Sequence, residues 1–327
     1  MKKLGAILEL VADGQFHSGE DLGAVLGVSR AAVWKQLKQL KDLGLEIESV
    51  PGRGYCLSQP LHLLDAHKIT EQLSGQARRQ LSHIQVLSVT DSTNNVLLNQ
   101  LQQGNRQAQA CFAELQTAGR GRRGRAHHAG INSCLMGSVA WVFQAGMFDF
   151  SVISLVVGIC MARSLTKLGC AHVELKWPND LQYAGRKLGG VLVESSVQEF
   201  SYCHAVIGLF VNVALSAQDR ACIDQPCVDI KEIIASSKTD LSRNQLAAAI
   251  LNELCAAFNQ LTEKGFDQFL TEWQHYDALC GREVIVRLNH EAVTGIAQGI
   301  DGVGRLLVKT SQGLRSFSYG EVSVRTL

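Results

Sequence analysis

Apolar positions recur at three- and four-residue spacing in three short runs at the start of the chain. Leu4, Ile7, Leu8 and Val11 predict a helix over residues 2–12 that Gly14 stops. Ser18 is placed to cap a second helix, Leu22 to Leu26, and Gly27-Val28-Ser29 makes a tight turn into a third. In the third, Val33, Leu37, Leu40 and Leu43 form the buried stripe, Arg30, Trp34, Lys38 and Lys41 line another side, and Gly44 ends the helix. Ile47 to Val50 and Tyr55 to Leu57 then read as a hairpin with Arg53 at its tip, in the turn Pro51-Gly52-Arg53-Gly54. This is helix-turn-helix spacing with a basic third helix. Two readings fit it: DNA contact through Ser29, Arg30, Trp34, Lys35, Lys38 and Arg53, or a small interaction domain whose lysines are a solvated face. Residues 1–60 hold seven Lys/Arg and seven Asp/Glu, so net charge does not separate them. The clustering of cations on one helix and one hairpin tip favours DNA.

After the linker Gln59-Pro60-Leu61 the pattern changes to α/β. Strands are expected at 86–90, 110–116, 134–143, 173–177, 188–197 and 202–213, with helices near 95–103, 150–168, 243–262 and 266–276. Residues 152–161 are almost continuously apolar, which predicts a central, buried helix; it is too short to span a bilayer, and Ser151 and Ser154 dilute it. From Gly281 the chain reads as short strands and turns: 283–288, 292–300, 306–310 and 319–323. The expected domains are therefore 1–60, 67–276 and 277–327.

Length and composition narrow the class. The 327 residues are 46% hydrophobic, enough for two or three globular domains. Net charge is +1 and the pI about 7.6, so any nucleic-acid surface must be local. The ten cysteines include no Cys-x-x-Cys and are expected to be reduced, mostly buried thiols. Met1-Lys2-Lys3 leads into a run broken by Glu9 and Asp13, which is no signal segment, and the expected compartment is the cytoplasm.

The chemistry concentrates in Gln116-Thr117-Ala118-Gly119-Arg120-Gly121-Arg122-Arg123-Gly124-Arg125. Glycine lets backbone N–H groups approach a ligand, and arginine offers a planar charged fork, so phosphate or carboxylate is the expected ligand. Arg125-Ala126 stands where a P-loop needs Lys then Ser or Thr, which excludes that motif. An exposed basic loop without a specific ligand is the alternative. Two further segments bear on it. Lys176-Trp177-Pro178-Asn179-Asp180 and Arg186-Lys187-Leu188-Gly189-Gly190 read as the two sides of one β connection with polar groups at its mouth. Asp91-Ser92-Thr93-Asn94-Asn95 follows a strand and precedes a helix, where Ser92 or Thr93 is placed to be an N-cap.

Gly-Arg-Gly-Arg-Arg-Gly, Lys-Trp-Pro-Asn-Asp and Arg-Lys-Leu-Gly-Gly, in this order behind the helix-turn-helix and before the β-rich tail, resemble the biotin protein ligases, specifically those that double as biotin operon repressors. The resemblance covers essentially the whole chain. It implies an α+β architecture: a winged helix-turn-helix, a central α/β catalytic domain with a mixed sheet, and a small SH3-like β-barrel. It implies activation of biotin by ATP with Mg2+, and transfer to a lysine of the biotin carboxyl carrier protein of acetyl-CoA carboxylase. It also implies binding of operator DNA as an adenylate-dependent homodimer, with no membrane role. Lys187 and Arg122 take the catalytic places; Ser92, Thr93, Asn94, Gln116, Arg120, Gly121, Arg122 and Lys187 hold biotin and the adenylate; Lys176, Asn179, Asp180 and Asn212 lie on the nucleotide side. Metal ligands stay unassigned.

Two departures from the family pattern stand out. Ala126-His127-His128-Ala129-Gly130 replaces an aromatic followed by Ser-Pro, and Phe210 in Gly208-Leu209-Phe210-Val211-Asn212 replaces a glycine. Both border the expected nucleotide pocket, which leaves a DNA-binding sensor with weak ligase activity as one alternative. A lipoate-type acyl ligase is another, although Ser92, Thr93, Asn94 and Gln116 suit a ureido ring better than a dithiolane.

Overall fold

The computed structural model describes residues 2–126, 129–144, 151–199, 202–235, 241–288, 291–318 and 323–326. His127 and His128, the turn at 289–290 and most of the strand expected at 319–323 lie outside these residues. The N-terminal unit is α1 (Lys2–Val11), α2 (Gly19–Leu26), α3 (Arg30–Asp42), β1 (Ile47–Val50) and β2 (Gly54–Leu57). The punctuation read from the sequence does its work. Ser18 accepts from the Asp21 N–H and Ser29 from the Ala32 N–H, while Gly27, at φ 61°, closes α2. Ile7, Leu8, Val11, Val33, Leu37 and Leu40 are buried together. A bridge between His17 and Tyr55 ties the hairpin to the α1–α2 connection, making it a wing beside α3.

The central unit runs α4 (Ala66–Glu71), α5 (Gly75–Gln80), β3 (His83–Thr90), α6 (Thr93–Gln102), β4 (Gln109–Gln116), β5 (Cys134–Gln144), α7 (Ser151–Lys167), β6 (Glu174–Lys176), β7 (Asp180–Tyr183), β8 (Arg186–Glu199), β9 (Tyr202–Asn212), α8 (Ala217–Cys222), α9 (Ile230–Ile233), α10 (Arg243–Lys264) and α11 (Leu270–Tyr276). Seven strands form one mixed sheet in the order β3-β4-β5-β9-β8-β7-β6. Only β3 and β4 are parallel, because α6 crosses between them; the other neighbours are antiparallel. Period-two alternation sorts the side chains. Ala110, Phe112, Val139, Trp141 and Ile207 face α7 and α10, whereas Cys111, Ala140 and Val206 face Leu97 and Leu101 of α6. The helix expected at 150–168 is the centre of the larger core, with Ile153, Val156, Val157, Ile159 and Cys160 fully buried.

The tail forms β10 (Glu283–Arg287), β11 (Ala292–Ile300), β12 (Leu306–Thr310), β13 (Gly313–Phe317) and β14 (Ser323–Thr326), a five-stranded antiparallel sheet in the order β13-β12-β11-β10-β14. Its inward residues Val284, Val286, Ala297, Leu306 and Val308 join the main core, and the Trp177 indole donates to the Gly304 carbonyl at 3.0 Å.

The segment between the first two units is strapped down. Arg243 pairs with Glu114 at 2.8 Å, both nearly fully buried, and donates to the His62 carbonyl. Asn244 donates to Leu63 and accepts from the Asp65 N–H. Helix α1 lies on β3: a Cβ on Gly5 would stand 2.8 Å from Ser88 Cβ, and the Ser88 hydroxyl donates to the Glu9 carboxylate. Leu115 and Ile131 belong to the same apolar cluster as the N-terminal helices. Among the described residues no helix is long and apolar enough to cross a membrane.

Candidate active site

The site lies on the α6 face of the sheet, at the end where β3 and β4 stop. Asp91 sets the turn out of β3, accepting from the Ser92 N–H at 2.7 Å, the Asn95 amide at 2.7 Å and the Thr90 hydroxyl at 3.1 Å. Burial alone would raise its pKa, but these hydrogen bonds outweigh it and hold the carboxyl below its ordinary value. Ser92 occupies the N-cap position of α6, yet its side chain makes no capping bond. The cap comes from a different strand: the side-chain amide oxygen of Gln116, at the end of β4, accepts from the Thr93 N–H at 2.7 Å. Ser92 is thus the N-cap residue that the local pattern predicts, but the capping bond itself comes from Gln116, which the sequence could not show to stand opposite. Ser92, Thr93 and Asn94 are all buried.

From Thr93 a polar chain runs across this face of the sheet, and it forms the floor of the candidate site. The Thr93 hydroxyl is 2.6 Å from the Ser138 hydroxyl, which donates to Asn94 Oδ1 at 2.5 Å. Asn94 Nδ2 donates to Glu194 Oε2, also at 2.5 Å. Gly208 makes the chain possible, because a Cβ there would stand 2.6 Å from Asn94 Oδ1. Ser138 on β5 and Glu194 on β8 carried no motif in the sequence and were missed there; only a lone polar position in an apolar strand marks Ser138, and only the end of an apolar run marks Glu194.

The glycine–arginine loop folds over this floor. Gly121 donates its N–H to the Arg125 carbonyl at 2.8 Å, a single 3-10 turn covers Arg122–Gly124, and Arg123 and Gly124 have φ of 58° and 69°. The four arginines divide. Arg120 makes a forked pair with Glu194 (2.9 and 3.0 Å), and Arg122 donates to Asn179 Oδ1 at 3.1 Å, while Arg123 and Arg125 are exposed.

Residues 174–199 form a three-stranded meander rather than the single connection expected, with the short β7 between the two motifs. In it Lys187 donates to Asp180 Oδ1 at 2.7 Å, and its ammonium lies 5.4 Å from the centre of the Phe210 ring. That ring packs beside Gly190, whose added Cβ would be 3.0 Å from it. Burial lowers the Lys176 pKa; nearby Asp180 opposes the shift, and Lys187 and Arg325 add to it. Asn179 donates to the Val191 carbonyl. Asn212 is more deeply placed: its amide donates to the carbonyls of Lys187 (3.3 Å) and Val228 (3.0 Å), so it ties β9 to the strand that carries Lys187. Among the described residues no three His, Cys, Asp or Glu side chains converge as metal ligands. The ten cysteines are free, and burial pushes the Cys111, Cys134 and Cys255 thiols up to about 12, which removes them as nucleophiles.

Comparison with known proteins meets the same three segments. Residues 3–56 match a helix-turn-helix family, 86–212 the biotin/lipoate A/B protein ligase family, and 279–325 the biotin protein ligase C-terminal domain. The bifunctional ligase/repressor BirA of Escherichia coli strain K12 is 38% identical over 320 residues, covering 98% of this chain and 96% of its own. The chain belongs to the bifunctional ligase/repressor family of biotin protein ligases. The bifunctional ligase/repressor of Bacillus subtilis strain 168 is 26% identical over 96% of the chain. The biotin protein ligase of Aquifex aeolicus, solved in complex with biotin and ATP, superposes with a TM-score of 0.63 at 24% identity over 76% of this chain and all of that one, which shows the shared fold. Lys187, Asp180, Arg122 and Asn179 thus form one polar group, and Thr93, Asn94, Gln116 and Arg120, joined through Ser138 and Glu194, another.

Proposed function

We propose that this ligase/repressor converts biotin and ATP to biotinyl-5'-AMP, transfers the biotinyl group to a lysine of the biotin carboxyl carrier protein of acetyl-CoA carboxylase, and uses its winged helix to repress transcription. The observation that carries the enzymatic part is the convergence of a buried amide-and-hydroxyl floor with a basic mouth under one glycine–arginine loop. A carboxylate is a poor electrophile, so activation is needed: its oxygen attacks the α-phosphorus, pyrophosphate leaves, and the amine then attacks the mixed anhydride. Negative charge builds on phosphate oxygens in the first step, which is where cations are useful.

The floor groups Ser92, Thr93, Asn94 and Gln116 suit the ureido ring, which presents both donors and an acceptor. Arg120 and Gly121 close the loop over the acid. Arg122 and Lys187 serve the anhydride and its phosphate, Lys176, Asn179 and Asp180 line the nucleotide side, and Asn212 supports Lys187 from behind. Mg2+ would arrive with the nucleotide, supply counter-charge there and take its ligands mainly from phosphate and water, since Asp180, the carboxylate on this side, is already engaged by Lys187. Ser29, Arg30, Trp34, Lys35, Lys38 and Arg53 are all exposed on α3 and the wing, as contact with operator DNA requires. One such module makes few phosphate contacts, so the repressing form is a homodimer on a palindromic site, in the cytoplasm with its DNA.

The test is purified protein with ATP, Mg2+ and a carrier domain, offered biotin or lipoate, and read by mass spectrometry. A biotin-sized mass gain on one carrier lysine is expected. Adenylate formation without transfer favours a sensor, and a lipoyl adduct alone overturns the assignment.

A further inference from the structure

We infer that Glu194 is the positioning residue that sets ligand specificity, by fixing the direction of the hydrogen bonds through Asn94, Ser138 and Thr93 and clamping the loop to them. The inference rests on the biotin reading above. Its basis is a restriction in chemistry: an ionised carboxylate only accepts hydrogen bonds. The Asn94 amide, 2.5 Å away, must therefore turn its NH2 toward Glu194 and its oxygen toward Ser138. Ser138 has one hydrogen, which that oxygen takes, so toward Thr93, at 2.6 Å, it can only accept. Thr93 then gives its one hydroxyl hydrogen to Ser138 at 2.6 Å rather than to Gln116 Oε1, 3.1 Å away, and Gln116 Oε1 is held by the Thr93 N–H at 2.7 Å. With Oε1 engaged, Gln116 has its NH2 as its remaining donor. One accept-only group at the end of the chain thus dictates donor and acceptor for three neutral side chains, Asn94, Ser138 and Thr93, each of which could otherwise turn the other way, while the Thr93 backbone N–H orients Gln116 beside them.

The same carboxylate takes the forked guanidinium of Arg120, so the loop is latched to the group that sets the floor's polarity. Ser138 is fully buried and Asn94 and Thr93 nearly so; with little water to compensate, a ligand presenting an acceptor where a donor is needed leaves an unpaired polar group. A site of this kind rejects a near-isosteric ligand of the wrong hydrogen-bonding sense far more strongly than one missing a methylene.

The test uses the full chain and biotin-dependent pyrophosphate exchange, with biotin and the two cyclic-carbamate analogues in which one ring N–H is replaced by oxygen. Three variants are compared: Glu194→Gln, Glu194→Asp and Glu194→Ala. The parent protein should prefer biotin over at least one carbamate by about 100-fold or more. Glu194→Gln, which can donate as well as accept, should raise the KM for biotin by about 10-fold or more, change kcat less, and cut that preference by about 10-fold. Glu194→Asp keeps an accept-only group and should keep the preference even where affinity falls. Glu194→Ala removes both latch and polarity and should lose affinity and preference together. Equal preference in the parent and Glu194→Gln proteins overturns the inference, as does loss of preference in Asp and Gln alike at matched thermal midpoints, which would mark a merely structural role. Absence of biotin-dependent exchange in the parent overturns the functional reading itself, and is distinct from both.

Discussion

Removing the Lys187 side chain should do more harm than losing one cation. Its ammonium neutralises Asp180 at 2.7 Å in a half-buried setting, so Lys187→Ala both deletes a charged donor and leaves a carboxylate facing the phosphates. The deleted charge-assisted contact is worth about 1.5 to 3 kcal/mol. A carboxylate about 5 Å from a phosphate charge, at an effective dielectric constant of about 20, adds about 3 kcal/mol of repulsion. Together they amount to about 5 kcal/mol, or a loss of roughly 10^3- to 10^4-fold in biotin-dependent pyrophosphate exchange. The two parts separate in the double variant. Asp180→Asn placed on Lys187→Ala removes the repulsion and should recover about 100-fold of the lost rate, although on its own it perturbs a residue of the working site. A double variant no faster than Lys187→Ala would refute the reasoning, and would mean that Asp180 acts on the nucleotide in its own right rather than as a charge that Lys187 masks.

Phe210→Gly removes the ring beside Lys187 and opens a void next to Met136 and Cys134, so a lower thermal midpoint and weaker ATP binding by calorimetry are expected; tighter ATP binding would show that the ring narrows the pocket instead. Arg30→Ala with Lys38→Ala should weaken operator binding at least 10-fold and reduce the slope of log affinity against log salt by about 2, as measured by fluorescence anisotropy; an unchanged slope would take these residues off the phosphates. Asp91 has a depressed pKa in the folded protein, so its contribution to stability is present above the ordinary carboxylate range and is lost as pH falls through the folded value. Asp91→Asn should therefore lower the thermal midpoint at pH 7, with a deficit that shrinks steadily as pH falls below the ordinary carboxylate range, and a deficit that does not change with pH would rule out the charge as the cause.

How much of this could be read from the chain depended on whether the signal was local. The helix-turn-helix was legible because its caps, its stops and its stripe of Val33, Leu37 and Leu40 are written into consecutive residues. Helix α7 was legible for the same reason, its apolar run needing no partner to be recognised. Helices α4 and α5 were not: each is six residues long and buries one side chain, Ile69 or Ala77, so neither has a period to detect. Strand β7 is four residues between two turns and reads as part of a connection. In the site, the loop and the lysine motifs announced themselves by composition, but their partners did not. Ser138 is a lone polar residue in an apolar strand and Glu194 is the first polar residue after an apolar run, and their importance comes from β8 and β5 lying on either side of β9, a neighbourhood that only the sheet order creates.

That sheet order also brings the N-terminal domain and the candidate site onto the same two strands. Helix α1 rests on β3 through Gly5 and Ser88, and β3 ends at Thr90, whose carbonyl accepts from the Thr117 N–H at the root of the glycine–arginine loop. Leu115 points into the core of the N-terminal helices while Gln116, the next residue, caps α6 inside the pocket. The two residues belong to one strand and face opposite sides, so a displacement of β4 cannot leave either environment untouched. The buried Glu114–Arg243 pair sits one residue further back and holds the linker carbonyl of His62, which fixes the third route between the units. Were the loop to close further on a bound adenylate, Thr117 and Gln116, at its root, would be the first residues pulled. The domain seated on the other side of that strand is then the nearest packed element able to respond, and any free energy by which closure favours one placement of it is returned, in equal measure, when DNA selects that placement.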